Sequence, residues 1–302
     1  MSNKMTCPLC SSESSAILKT FQLSDLAKLW KKNIGFNPFV KTTHAALEKR
    51  LCVNCGLVHF YPQIIGDATF YSELSTTEGY YPDNKWEFDK AIDIISQYKP
   101  ASILEIGCGE GYFLSRIATC ADRVLGIDIN SRALAIAEKK GLKVSNKSIE
   151  EIEEKFDMIV LFQVLEHLEL PMGLISEAVK KLNSGGVLML AVPNPDGFLK
   201  HVDVHILDMP PHHATIWSKK ALCYLVEQCG LSTTGYDAEP IRFEHLRAQL
   251  FSQINQDQRM WGVIKFMQKI SVLLCLPILY MLHKPAENLG QTHMIVAKKV
   301  VS

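Results

Sequence analysis

The feature that most restricts this chain is Ile103-Leu104-Glu105-Ile106-Gly107-Cys108-Gly109-Glu110-Gly111, a short apolar run that ends in three glycines at alternate positions. The run reads as a buried strand, and the glycines let the backbone turn sharply and approach a ligand where a Cβ would block it. Residues 112–119 then carry a helical pattern, so the turn leads into a helix N-terminus whose first N–H groups have no intrahelical partner. Strand, glycine turn and helix in this order begin a βαβ unit.

The pattern continues downstream. Apolar runs at 123–127, 156–162 and 186–192 alternate with helical stretches at 131–139, 171–182 and 219–229. Near-continuous apolar strands between helices predict a parallel sheet covered on both faces. Gly141, Gly185 with Gly186, and Gly230 follow helical stretches, where helix C-termini are expected. Residues 86–98 predict a helix leading into this core, and 231–236 and 292–297 predict two further strands with a long insertion between them.

The glycine spacing bears on the ligand. A dinucleotide fingerprint is GxGxxG, and here the third glycine falls one residue early, which disfavours a pyrophosphate. Asp128 closes the 123–127 run, about 20 residues beyond the first glycine, where an acidic side chain can accept hydrogen bonds from both ribose hydroxyls. These parts suit a nucleoside without a diphosphate. Residues 105–111, Asp128, Phe156-Asp157-Met158-Ile159-Val160 and Asn183-Ser184-Gly185-Gly186-Val187-Leu188 resemble, in order, the motifs of class I S-adenosylmethionine-dependent methyltransferases.

That resemblance implies an α/β fold, a Rossmann-like seven-stranded methyltransferase sheet with S-adenosylmethionine across its carboxyl edge. It implies that Gly107, Gly109 and Gly111 line the methionine part of the cofactor, with Glu105 and Cys108 in the same segment. Asp128 would hold the ribose and Ile129 pack on the adenine, while Ser148 and Ile149 occupy the place of the adenine-edge contact. Gln163-Val164-Leu165-Glu166-His167-Leu168 matches the segment beneath the sulfonium, which places Gln163 at the cofactor.

A sulfonium is already a strong electrophile, so the protein has to position, desolvate and, where the nucleophile carries a proton, supply a base. Histidine titrates near neutrality, which makes His167, His205, His212 and His213 the candidates. His212 and His213 lie in Pro210-Pro211-His212-His213-Ala214-Thr215-Ile216-Trp217, a loop after the 186–192 run that opens at the ligand-binding edge of such a sheet. The competing reading makes one or both of them the cap of a helix beginning near Ser218. His167 ranks below this pair as a base.

The nine cysteines are the compositional oddity. The start of the sequence shows no apolar signal region, so a reducing cytoplasm with free or metal-bound thiols is expected. Cys7-Pro-Leu-Cys10 and Cys52-Val-Asn-Cys55-Gly56 form two CxxC pairs, and four thiolates in two close pairs can close a tetrahedral shell around a structural zinc. Cys108, Cys120, Cys223, Cys229 and Cys275 read as small buried hydrophobes. The expected organisation is a zinc-ribbon domain over 1–61, a connector and first helix over 62–100, and a methyltransferase domain over 101–302 with an apolar helical insertion at about 245–285.

A zinc ribbon leading into such a core, followed by Phe70-Tyr71, Tyr80-Tyr81 and the Pro-Pro-His-His segment, resembles bacterial methyltransferases of sugar and surface-polysaccharide pathways. That resemblance implies a small-molecule or glycan-precursor acceptor, with O- and C-methylation both open. Lys plus Arg and Asp plus Glu each total 32, so no global positive field holds a nucleic acid. A tRNA or protein methyltransferase that grips its target through the ribbon is the first alternative, and a non-catalytic cofactor-binding scaffold the second. Residues 259–302 nonetheless carry Arg259, Lys265, Lys269, Lys284, Lys298 and Lys299 against one acid, Glu287. Within them, 270–282 is apolar but too short to span a bilayer. It suits a core-packed or homodimer-forming hairpin, or a peripheral contact at the inner membrane face.

Overall fold

A computed structural model describes residues 5–77, 84–201, 204–256, 262–283 and 290–300, so Tyr80 and Tyr81, with Arg259, Lys284 and Glu287, lie outside the described residues. The N-terminal part contains β1 (Ser15–Gln22), α1 (Leu23–Asn33), β2 (Ala46–Cys52), β3 (Val58–Tyr61) and α2 (Ala68–Leu74). Helix α1 is amphipathic and buries Leu23, Leu26 and Trp30. Flanking strands were not legible, because β2 presents Glu48, Lys49 and Arg50 in sequence and reads as polar. Its buried positions, Leu47, Arg50 and Cys52, become visible only once the sheet exists.

The main sheet follows the glycine turn. Its elements are α3 (Trp86–Tyr98), β4 (Ser102–Ile106), α4 (Tyr112–Ile117), β5 (Arg123–Ile127), α5 (Ser131–Lys139), β6 (Val144–Ser145), β7 (Phe156–Phe162), α6 (Pro171–Lys180), β8 (Leu182–Pro193), β9 (Thr215–Ile216), α7 (Lys219–Gln228), β10 (Leu231–Ala238), α8 (Phe243–Gln256), α9 (Gly262–His283) and β11 (Thr292–Lys299). The seven-stranded order is β10-β11-β8-β7-β4-β5-β6, parallel from β6 to β8, with β11 antiparallel to both β8 and β10. Strand alternation divides the core. Leu104, Ile106, Ile159, Leu161, Leu188 and Leu190 face one helical layer, and Ile103, Met158, Val160, Phe162, Val187 and Met189 face the other. From β4 the chain winds one way to β5 and β6, then returns to β7 and β8 on the other side. The reversal opens a crevice at the carboxyl ends of β4 and β7, where open α/β sheets bind ligands.

The sequence boundaries shift where tertiary contacts intervene. Gly185 has φ of +73° but lies inside β8 rather than at a helix end, so the strand starts four residues before the expected 186–192 run. Asp157 explains this early start: Oδ2 accepts the Ser102 amide at 2.9 Å and Oδ1 accepts the Asn183 side-chain amide at 2.7 Å, tying β4, β7 and β8 together.

The N-terminal sheet is not closed within residues 1–61. Its order is β1-β2-β3-β9, so its last strand comes from the loop that carries His212 and His213. The second cysteine knuckle docks on the start of α7: Ser218, the N-cap of α7, also donates to the Gly56 carbonyl at 2.9 Å. Gly56 has φ of +78°, and a Cβ there would stand 2.9 Å from Lys220 Cδ. Trp30, fully buried, donates from Nε1 to the Pro210 carbonyl at 3.2 Å.

The insertion between β10 and β11 is the helical hairpin of α8 and α9. It packs through Ile241, Leu246 and Leu276, while Phe266, Met267, Leu274, Ile278 and Met281 are exposed. Cys120 and Cys275 are exposed as well, contrary to the buried places expected for them, because α4 ends at Ile117 and α9 turns Cys275 outward. Among the described residues no helix is long and apolar enough to cross a membrane.

Candidate active site

A cavity of about 500 Å³ opens at the β4–β7 crevice. One end is the glycine turn, with Glu105, Gly107, Cys108 and Gly109, faced by Trp86, Glu87 and Phe88 from α3. The other end holds Glu166, His167, His205, Asp208, His212 and His213. Of the expected cofactor residues, Gln163 joins these in the lining, whereas Gly111, Asp128, Ile129, Ser148 and Ile149 do not.

The glycine turn is shaped by conformation and close packing. Gly107, Gly109 and Gly111 have φ of +79°, +52° and +76°, a region in which a Cβ is strained. A Cβ on Gly107 would lie 2.4 Å from Val164 Cγ2, and one on Gly111 the same distance from Leu142 Cδ1. Asp128 braces the turn: Oδ2 accepts the Gly109 amide at 2.8 Å and Oδ1 the Asn130 amide at 2.7 Å. Asn130 in turn caps α5 by accepting the Arg132 amide at 3.1 Å. Ile129 beside it is 91% exposed, an apolar face open to a flat ligand. Ile149 is turned the other way, 2% exposed in the core with Ile127 and Ile152, so its side chain offers a ligand no surface. Ser148 is exposed and closes a capping box with Glu151, whose carboxylate accepts the Ser148 amide at 2.7 Å.

Glu105 is the buried acid at this end. It is 3% exposed, and among the described residues its Oε2 has no hydrogen-bond partner. Burial holds its pKa well above the carboxylate range, Lys85 opposes this and Asp128 adds to it. An unpartnered buried carboxylate is costly unless a cation or donor meets it. The ammonium of a methionine moiety is such a group, so the residues present fit S-adenosylmethionine. Gln163 stands between the two ends with φ of +56°, and its side-chain amide donates to Glu87 Oε1 at 3.0 Å. A non-glycine residue held there costs energy that the surroundings must offset, a pattern concentrated at ligand sites.

The histidine end was only partly legible. His167, His212 and His213 cluster with ring centroids 4.5 to 4.9 Å apart, His212 and His213 being stacked. His167 Nδ1 lies 2.7 Å from the His212 carbonyl, His212 Nδ1 2.7 Å from the Leu207 carbonyl, and His213 Nδ1 3.3 Å from Asp208 Oδ1. His212 does not cap α7, since Ser218 does. Burial lowers His167 to about 3 and pushes His212 well below the usual histidine value, helped by its two histidine neighbours. Both are therefore neutral. For Asp208, burial alone would raise the carboxyl, but hydrogen bonds from His205 and His213 outweigh it and hold it well below the usual range. The Asp208 charge raises His205 against the effect of burial.

Glu87 and Asp208 were not singled out from the sequence, and neither were the roles of Glu166 and Glu239. Glu166 is 1% exposed, among the described residues neither carboxylate oxygen has a hydrogen-bond partner, and burial raises it to about 7, with His213 pulling the other way. Glu239 pins the root of the α8–α9 insertion, accepting the Gln291 amide at 2.9 Å and pairing with Arg242 Nε at 2.9 Å on the cavity rim. Glu166 stood inside a motif noted for its position, and nothing local marked it as buried.

Away from the cavity, Cys7, Cys10, Cys52 and Cys55 come together with all four sulfurs within 4.8 Å of one another. Cys7 and Cys55 sulfurs are 3.6 Å apart and those of Cys10 and Cys52 3.5 Å. Four sulfurs about 2.3 Å from a tetrahedral ion stand about 3.8 Å apart, so this cluster fits zinc. It packs into the same core cluster as Trp217, Leu222 and Leu225, which makes it part of the support of the main sheet.

The chain is similar to known methyltransferases. A probable S-adenosylmethionine-dependent methyltransferase of Mycolicibacterium smegmatis is 32% identical over 133 residues, 42% of this chain and 51% of that protein. A mitochondrial ubiquinone biosynthesis O-methyltransferase of Candida albicans is 32% identical over 128 residues, 37% of this chain and 39% of the relative. The chain thus spans about half the length of the first of these relatives and less of the second. The crystal structure of a SAM dependent methyltransferase from Archaeoglobus fulgidus superposes with a TM-score of 0.49 at 19% identity, covering 70% of this chain and 93% of that one. The family described as a methyltransferase domain matches residues 83–236, and with half of its length so matched the chain belongs to that methyltransferase family.

Proposed function

We propose that the protein transfers a methyl group from S-adenosylmethionine to a hydroxylated small molecule, with a sugar or other glycan precursor as the acceptor class. The observation that carries this reading is the single cavity that joins the glycine turn to the histidine cluster. The bound cofactor supplies an electrophilic methyl on a sulfonium. Glu105 faces the cationic amine, the glycine turn lets the backbone approach, and Asp128 takes the ribose. Gln163, fixed by Glu87, sets the floor between cofactor and acceptor. The acceptor end carries Glu166, Asp208, Arg242 and the histidines, groups that can hydrogen-bond an acceptor bearing several hydroxyls. Glu166, raised to about 7, is placed to receive the acceptor proton near neutral pH.

Oxygen as the accepting atom is supported by relatives whose names specify ubiquinone biosynthesis O-methyltransferases. The sugar class is supported by the four-cysteine unit joined to the histidine loop through β3 and β9. That unit, with zinc, would hold the loop's geometry, a structural role. The test is labelled methyl transfer from S-adenosylmethionine to a panel of nucleotide sugars, free sugars, phenols and bulk tRNA. Label in a sugar supports the reading. Label in tRNA alone overturns the acceptor class, and cofactor binding without product in any acceptor supports a scaffold.

A further inference from the structure

We infer that His167, His212 and His213 form a second metal site, distinct from the four cysteines, which takes a divalent first-row transition cation at the acceptor end of the cavity. It rests on the methyltransferase reading for its role and on geometry alone for its existence. One ligand nitrogen from each histidine lies within 4.8 Å of those from the other two. A tetrahedral ion at about 2.0–2.1 Å from each nitrogen needs a spacing of about 3.3 Å, so a bound cation would draw the rings together by small rotations about their Nδ1 contacts.

The stronger argument lies in what holds the rings. All three Nδ1 atoms face an oxygen: the His212 carbonyl, the Leu207 carbonyl and the Asp208 carboxylate. A carbonyl can only accept, so Nδ1 of His167 and of His212 carries the proton and Nε2 carries the lone pair. Metal-ligating histidines are held in this manner, the second nitrogen donating to a carbonyl or carboxylate. A general base needs one imidazole, and three converging rings with Nδ1 anchored in each exceed that need. Three protein ligands also leave a coordination position open, as at catalytic rather than structural sites. Imidazoles favour zinc, cobalt, nickel or iron over magnesium and calcium.

Glu166 gives the open position a use. It lines the same cavity with both carboxylate oxygens buried and, among the described residues, without a hydrogen-bond partner. An acceptor hydroxyl bound to the cation becomes more acidic, and its proton passes to Glu166. The acceptor oxygen then forms a bond to the methyl carbon as the carbon–sulfur bond breaks, its electron pair returning to sulfur. Asp208 is a positioning residue acting through His213.

The test is metal counting on the full chain, equilibrated with cobalt(II) and desalted, then analysed by plasma mass spectrometry. Two ions per chain are expected, one of which gives thiolate-to-cobalt absorption. His212→Ala and His213→Gln each lose one ion and keep the thiolate band, whereas Cys7→Ser loses the band. Asp208→Asn, which removes no ligand, weakens the second ion about 10- to 100-fold by titration. If His213→Gln and Asp208→Asn both bind two ions with unchanged affinity, or the wild type holds only the thiolate-bound ion, the site does not exist. Calorimetry of S-adenosylmethionine binding separates the two proposals: lost methyl transfer on mild chelation with retained cofactor affinity supports the metal role, whereas full transfer without the second ion overturns it. Absent cofactor binding refutes the methyltransferase reading and leaves the metal count standing.

Discussion

Asp128→Ala separates two tasks of one carboxylate. Within the chain itself, Asp128 accepts the Gly109 amide at 2.8 Å and the Asn130 amide at 2.7 Å, tying the glycine turn to the end of β5. A hydrogen bond to a charged group contributes about 1.5–3 kcal/mol, and the burial that raises the Asp128 pKa offsets part of it. Two such bonds less that cost leave about 2–3 kcal/mol of stability to lose. On the proposed ribose placement, the cofactor hydroxyls would lose a charged acceptor as well, about 1–3 kcal/mol, which is roughly 5- to 150-fold in Kd. Urea unfolding reads the first effect and calorimetry with S-adenosylmethionine reads the second. Asp128→Asn keeps one carbonyl acceptor and should fall between wild type and Ala in stability. An unchanged urea midpoint in Asp128→Ala refutes the brace, and full cofactor affinity in the folded variant refutes the ribose placement.

Gly107→Ala meets both a φ of +79° and a 2.4 Å contact with Val164 Cγ2, and should lose about 1–3 kcal/mol of stability. Adding Val164→Ala relieves the contact but not the backbone strain, so full recovery in the double variant contradicts the conformational part. Glu105 has a raised pKa, so the folded state binds its proton more tightly than the unfolded state. Its contribution is complete below the unfolded value of about 4.3 and is lost as pH rises above it. Glu105→Gln should therefore flatten the fall in stability as pH rises above about 5 while weakening cofactor binding, and an unaltered pH slope in urea titrations speaks against the burial argument. Cys7→Ser with Cys10→Ser should release the expected zinc and lower the melting temperature, because the cluster packs on Trp217 and Leu222; full metal content in that variant removes the four-cysteine site.

Local signals reached far into this fold. The strands Ser102–Ile106, Arg123–Ile127 and Phe156–Phe162 and the helix Trp86–Tyr98 stand where apolar periodicity put them, because a strand buried on both faces must be apolar throughout. The glycine turn was equally visible, since its conformation admits few other residues. The two cysteine pairs were legible as well, because thiolate pairs at that spacing have few other uses. Binding properties that depend on a neighbour were not. Ile149 was expected at the cofactor and lies in the core, and nothing in Ser148-Ile149 records which way a side chain turns once the 3₁₀ turn there forms.

By itself, the sequence determined the class of sheet, its crevice and the family of chemistry, since these rest on periodicity and on residues with special backbone or ligand properties. Only the tertiary structure decided that the loop bearing His212 and His213 pairs as β9 with β3 of the N-terminal sheet. It also decided that His167 joins that pair and that Glu166 faces them unpartnered. The physical reason is that burial and convergence are properties of chain segments brought together from far apart, as Trp30 is to Pro210, and dehydration is what turns an ordinary Glu166 and three histidines into a site.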